Sequence, residues 1–226
     1  MSKKSKVQQP QQLSPANYIR QKARSLPIHE CRVNSNWKEY GMATVMVTRK
    51  HNNGNLTSAI YLIDTLCLGI KDTTYQFNLK PEEYDSYVDH FLNKDDCEEI
   101  TYALAHNIIY AALAYAEEFE FKPHRDFNSI TQFMLEEDTD DIELIDIECG
   151  KEGKPCYVIG SHDSDQKVDR IIDQLERTAG VDNFYIIDAT GEYDDEEDDD
   201  EALENEEAED DDIEDAEIIE DETTTK

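Results

Sequence analysis

Asp64 and Asp72 stand eight residues apart within Leu56 to Asn78, a long apolar-rich run. Paired carboxylates are what nucleases and phosphoryl-transfer enzymes use to hold a divalent metal. Along a straight strand these two would lie roughly 26 Å apart at about 3.3 Å per residue, too far to share one ion. They can meet only if the chain turns between them, and Gly69 is where it could turn. His106, beyond them in the sequence, could supply a general base or a third ligand. Together Asp64, Asp72 and His106 would make a metal-dependent hydrolase or nuclease.

A structural account competes for the same residues. Asp64 could cap a one-turn helix over 65–68 that Gly69 ends. Helix-start N–H groups would then satisfy a carboxylate placed directly after Ile60 to Ile63. We read Asp64 this way. His106 shares a helix face with Ala103, Tyr110 and Leu113, the setting of a hydrogen-bonded core histidine.

Other polar groups give weaker signals. "PHRDF" reads as an Arg125–Asp126 ion pair at a helix end, with His124 on the surface. "GSHDSD" joins a strand to a helix start, a place that can hold phosphate. Asp163 and Asp165 would repel that anion, so the loop reads as capping itself. Cys149 and Cys156 are half of a metal site at most, and read better as small buried residues. The sequence contains no Walker loop, nucleophile elbow, H-E-x-x-H or paired C-x-x-C, so we assign no cofactor.

The elements that must position these residues form an α+β pattern. Ser14-Pro15 opens a short basic helix to about Arg24. "MATVMVTRKH" and "LTSAIYLI" flank "NNGN", which predicts a β-hairpin turning at Asn53-Gly54. Pro81 starts a helix through Phe91. Asp95 or Asp96 caps a longer, Ala-rich one to about Phe119, and a short helix follows over roughly Ser129 to Leu135. "IELIDIEC" and "CYVIG" predict a second hairpin around "GKEGKP". "SDQKVDRIIDQLERTAG" is an amphipathic helix with Val168, Ile171, Ile172 and Leu175 inward, and "NFYIID" is a final strand. The expectation is a single domain with antiparallel hairpins around a central helix, flanked by disordered tails.

Charge divides the chain. Residues 1–25 carry six bases and no acid, whereas residues 191–226 carry 22 acids and one base. We read 1–13 as a disordered basic arm, 14–25 as the short basic helix, 26–190 as the domain and 191–226 as a disordered acidic tail. No secretory signal opens the sequence, and its five cysteines are odd in number, so we expect reduced thiols in the cytoplasm. No apolar run is long enough for a helical membrane span. An acidic domain disfavours direct nucleic-acid binding. A polyanionic tail draws in Lys/Arg-rich surfaces, folds loosely onto the chain's own basic arm, or only keeps the domain in solution. Our reading is a non-enzymatic binding or adaptor protein whose tail engages a basic protein partner, with the metal-dependent enzyme as the alternative. Composition does not give an oligomeric state.

"YLIDTLCLGIKDTTY", "AHNIIYAALAYAEEFEFKPHRDF" and "GKPCYVIGSHDS" are similar to segments of a family of uncharacterised bacterial hypothetical proteins. The resemblance spans roughly Leu26 to Asp188 and implies no activity, cofactor or site residue.

Overall fold

The computed structural model describes residues 13–92 and 96–188. The acidic tail and nearly all of the expected basic arm lie outside the described residues.

The fold is α+β, built on a five-stranded antiparallel sheet. Ser14 Oγ accepts from the Asn17 N–H at 3.4 Å, and Pro15 begins helix α1 (Pro15–Lys22). A 3₁₀ turn, Ala23–Ser25, leads into β1 (Ile28–Asn34). A short helix α2 (Trp37–Tyr40) precedes β2 (Met42–Lys50), β3 (Leu56–Asp64) and β4 (Gly69–Leu79). Helix α3 (Pro81–Leu92) then carries the chain to β5 (Cys97–Ile100), giving the sheet order β4-β3-β2-β1-β5. The expected β2–β3 hairpin forms in register from Met42↔Asp64 to Lys50↔Leu56. Its loop is five residues rather than a tight two-residue turn, and Gly54 alone in it has positive φ, at 88°.

Both faces of the sheet are covered, because β4 and β5 lie on opposite edges and α3 must cross between them. Helix α4 (Tyr102–Glu118) packs Ala105, Ile108, Ile109 and Ala112 against Val33, Val45, Val47, Tyr61 and Ile63. On the other face, Tyr84, Val88 and Leu92 of α3 meet Met46, Leu56 and Ile60. β3 is consequently buried on both sides, which explains its consecutive apolar residues from Ala59 to Ile63. Small residues of α4 admit the sheet closely. Gly69 has φ +68°, and a Cβ there would lie 2.7 Å from the Ala116 Cβ.

β4 is a strand that the sequence reading does not assign, although Tyr75, Phe77 and Leu79 alternate with Thr74, Gln76 and Asn78 along it. Three local expectations are corrected. The helix expected from Asp95 or Asp96 begins at Tyr102, capped by Thr101, because Cys97–Ile100 pairs with β1 as an edge strand. The short helix at 129–135 is instead α5 (Arg125–Ser129), followed by a 3₁₀ turn at Thr131–Met134. The second hairpin does not form. "CYVIG" supplies β6 (Cys156–Ile159), which pairs in parallel with β7 (Tyr185–Asp188) through helix α6 (Asp165–Thr178). "IELIDIEC" joins no ladder, and Asn107 of α4 bonds its backbone at Glu143 and Ile145.

Three arginines tie the amino-terminal helix to residues 129–137. Arg20 Nε donates to the Ser129 carbonyl at 2.6 Å, and Arg24 Nε to the Leu135 carbonyl at 2.7 Å. Arg49, 1 % exposed, donates to the carbonyls of Met134 and Leu26 at 2.7 and 2.6 Å and pairs with Glu136 at 2.8 Å. Part of the basic charge read in 14–25 is thus spent inside the domain.

Candidate binding cleft

The β3–β4 turn returns the chain as the Asp64–Asp72 pair requires, placing Leu62 opposite Asp72 and Asp64 opposite Gly69. The two carboxylates then part company. Asp64, 3 % exposed, accepts from the N–H groups of Leu66 and Cys67 at 2.8 and 3.0 Å. Burial pushes its pKa up, against the pull of those N–H groups and Lys71. The Asp72 side chain is 66 % exposed, accepts from the Thr73 N–H at 2.7 Å and lies 3.8 Å from His124 Nδ1. His106 is buried on α4 between Tyr102 and Tyr110, with Nε2 3.4 Å from the Glu136 carbonyl. Burial lowers its pKa, favouring the neutral ring. The three candidates share no hydrogen-bond partner. Among the described residues, no three His, Cys, Asp or Glu side chains are placed to hold a metal ion.

The remaining sequence candidates are held locally. His124 caps α5, its Nδ1 accepting from the Asp126 N–H at 3.4 Å, and Arg125 lies 3.9 Å from Asp126. In the β6–α6 corner, Asp163 accepts from the Gly160 N–H at 3.0 Å and the Tyr157 hydroxyl at 2.9 Å, and pairs with Lys167. Burial opposes its charge, but these donors outweigh burial and hold the carboxyl down at about 2. Asp163 therefore closes its own loop.

Cys31, Cys67, Cys97, Cys149 and Cys156 are all free thiols. Burial pushes Cys31 up to about 12, Cys149 up to about 11 and Cys67 higher still, so none of these three is a thiolate at neutral pH. Thiol titration should count five groups in denaturant without reductant. In the native protein the partly exposed Cys97 and Cys149 should react first. A count of three or fewer in denaturant would reveal a disulfide.

Among the described residues, a cleft of about 770 Å³ is bounded by α2, the β3–β4 turn, segment 145–148 and β6. Its walls are apolar: Trp37, Leu66, Leu104, Ile145, Ile147 and Val158. The wall at Leu66 depends on Gly41, whose φ is +66° and where a Cβ would stand 2.3 Å from the Leu66 side chain. Thr65 locks the same wall, donating its N–H and Oγ1 to the Gly41 carbonyl at 2.9 and 3.1 Å. Tyr40, 58 % exposed, stands at the mouth.

Glu39, Asp146, Glu148 and Glu152 line the cleft against only Lys38 and Lys151, which leaves it net negative. Both lysines lie over aromatic rings, Lys38 over Trp37 and Lys151 over Tyr185. Among the described residues, Glu39, Asp146 and Glu148 enter no ion pair. Apolar walls with unpaired carboxylates at the rim suit apolar side chains that have cationic neighbours. The sequence does not reveal this cleft because its residues come from six separated stretches. The signal that could have pointed to it is the strand-like alternation of "IELIDIE", left without a strand to pair with.

No family model, curated protein or solved structure matches the chain. Among the described residues, no helix is long and apolar enough to cross a membrane.

Proposed function

We propose that the protein is a non-enzymatic cytoplasmic binding or adaptor module for a Lys/Arg-rich protein partner. The observation that carries this reading is the cleft, whose apolar walls and unpaired acidic rim match a segment bearing both apolar and cationic side chains. The acidic tail, with 22 acids in residues 191–226, supplies long-range attraction that raises the rate of encounter with such a surface. Cleft and tail thus favour the same class of partner, one by fit and the other by field.

Affinity capture from the native cell tests the reading with three baits: the full chain, the full chain carrying Asp146→Lys and Glu148→Lys, and the chain ending at residue 190. The full chain should retain Lys/Arg-rich proteins. Charge reversal at the rim should cut retention at least tenfold, and tail removal should weaken it further at low salt than at high salt. Retention should also fall as salt rises, since the screening length is already about 10 Å at about 0.1 M. Retention indifferent to rim charge, tail and salt would overturn the proposal.

A further inference from the structure

The two segments that border the cleft, 142–149 and 156–160, are the legs of the hairpin that the sequence predicts and the fold does not form. Among the described residues, only Lys151 and Lys154 bridge at its tip. Between the legs sits the β3–β4 turn. The Gly150 N–H donates to the Thr65 carbonyl at 2.9 Å on one side, and the Cys156 N–H to the Leu66 carbonyl at 3.1 Å on the other. At its closed end, then, the space between the legs already holds two residues of backbone bonded to both sides, as a middle strand would be. Past Leu66 that middle position opens into the cleft.

Backbone alternation decides which groups face the opening. Asn107 of α4 donates to the Glu143 carbonyl at 2.9 Å and accepts from the Ile145 N–H at 3.1 Å. Odd-numbered residues of this leg therefore turn their backbone groups toward α4. Asp146 and Glu148 turn theirs the opposite way, in phase with Gly150. In β6, the bond from the Tyr185 N–H to the Pro155 carbonyl, 2.9 Å, puts residues 157 and 159 on the β7 side. Val158 is left in phase with Cys156. Among the described residues, the backbone groups of Asp146, Glu148 and Val158 on this side have no hydrogen-bond partner. Two unfilled strand edges face the same gap, and isolated edges of this kind are templates for pairing.

Resting on the partner class proposed above, we infer that the cleft binds the basic partner by strand addition. One extended segment lies between residues 146–148 and β6 and pairs with both. Alternate side chains of a strand point to opposite faces, so the segment that fits places apolar residues on the walls and Lys or Arg residues toward Asp146, Glu148 and Glu152. Main-chain bonds on both edges supply affinity, and the alternation supplies selectivity.

The test uses the unaltered full chain and an eight-residue peptide of alternating Val and Lys, blocked at both ends. Two further peptides carry the same sequence N-methylated at every Val or at every Lys. N-methylation removes backbone donors along one edge and leaves charge and side chains intact. The parent peptide should bind at low salt, and each methylated form should bind at least tenfold more weakly, because the added strand bonds on both edges. On binding the parent, amide hydrogen exchange at Asp146, Glu148 and Val158 should slow. Equal affinity for the methylated and parent peptides would overturn strand addition while leaving the basic-partner reading in place. Failure of every Lys-containing peptide to bind the folded chain would overturn both. In a parallel arm with the chain lacking residues 1–12, peptide binding by that chain and not by the full one would assign the slot to the chain's own basic arm and overturn the proposal.

Discussion

Arg49→Ala should destabilise the fold by about 3–5 kcal/mol, the usual cost of stripping one partner from a buried charged network. The guanidinium is 1 % exposed and gathers the Met134 and Leu26 carbonyls with the Glu136 carboxylate. Its loss leaves the Met134, Arg24 and Leu26 carbonyls without this donor and a void where the sheet, the amino-terminal segment and residues 129–137 meet. Arg49→Lys should rescue only a small part, since one ammonium cannot reproduce a planar fork that reaches four acceptors. Denaturant unfolding measures both variants. An alanine variant within about 1 kcal/mol of the parent would show that the network contributes little to the fold.

Asp64→Ala should cost about 2–4 kcal/mol, because it leaves the Leu66 and Cys67 N–H groups buried without an acceptor. Asp64→Asn keeps an oxygen at that place and should cost far less. The two variants also separate the carboxylate's hydrogen bonding from its charge. Burial raises the folded-state pKa of Asp64 above its ordinary 3.8, so the folded protein holds the proton more tightly than the unfolded chain. The stability gained from that difference is full below 3.8 and is lost as pH rises through the raised value. Asp64→Asn cannot titrate, so its stability relative to the parent should improve as pH climbs from about 4 to 7. Unfolding curves at both ends of that range decide the matter. An asparagine variant as unstable as the alanine one at neutral pH would mean that the fold depends on the charge itself.

What was legible from the sequence follows short-range rules. Ser14-Pro15 opens a helix because a hydroxyl and a ring that fixes φ act within one turn. The β2–β3 hairpin follows from two apolar runs that close on a few residues. The α6 face was readable because Ile171 and Leu175 sit one turn apart. Misreadings began where a distant segment altered the outcome. Cys97–Ile100 continues a plausible helix by composition, yet β1 offers it an edge, and ladder bonds outweigh a propensity of a few tenths of a kcal/mol per residue. "CYVIG" pairs with "YIID" in parallel because α6 covers that pair, so the adjacent leg is left unmatched.

The candidate site divides along the same line. Sequence by itself determined the chemistry available: an acidic chain, free thiols, and Asp64 ahead of a glycine-ended turn. It also determined the local caps, since each needs only neighbours within three or four residues. Tertiary structure alone decided which edges stay open and which carboxylates face one another across a gap. Glu39, Asp146, Glu148 and Glu152 become one rim only when α2, the Asn107-held segment and the residue 150–155 loop close on the β3–β4 turn. The reason is physical: a cap is satisfied by the backbone it interrupts, whereas a cleft exists only between surfaces that separate segments fail to bury.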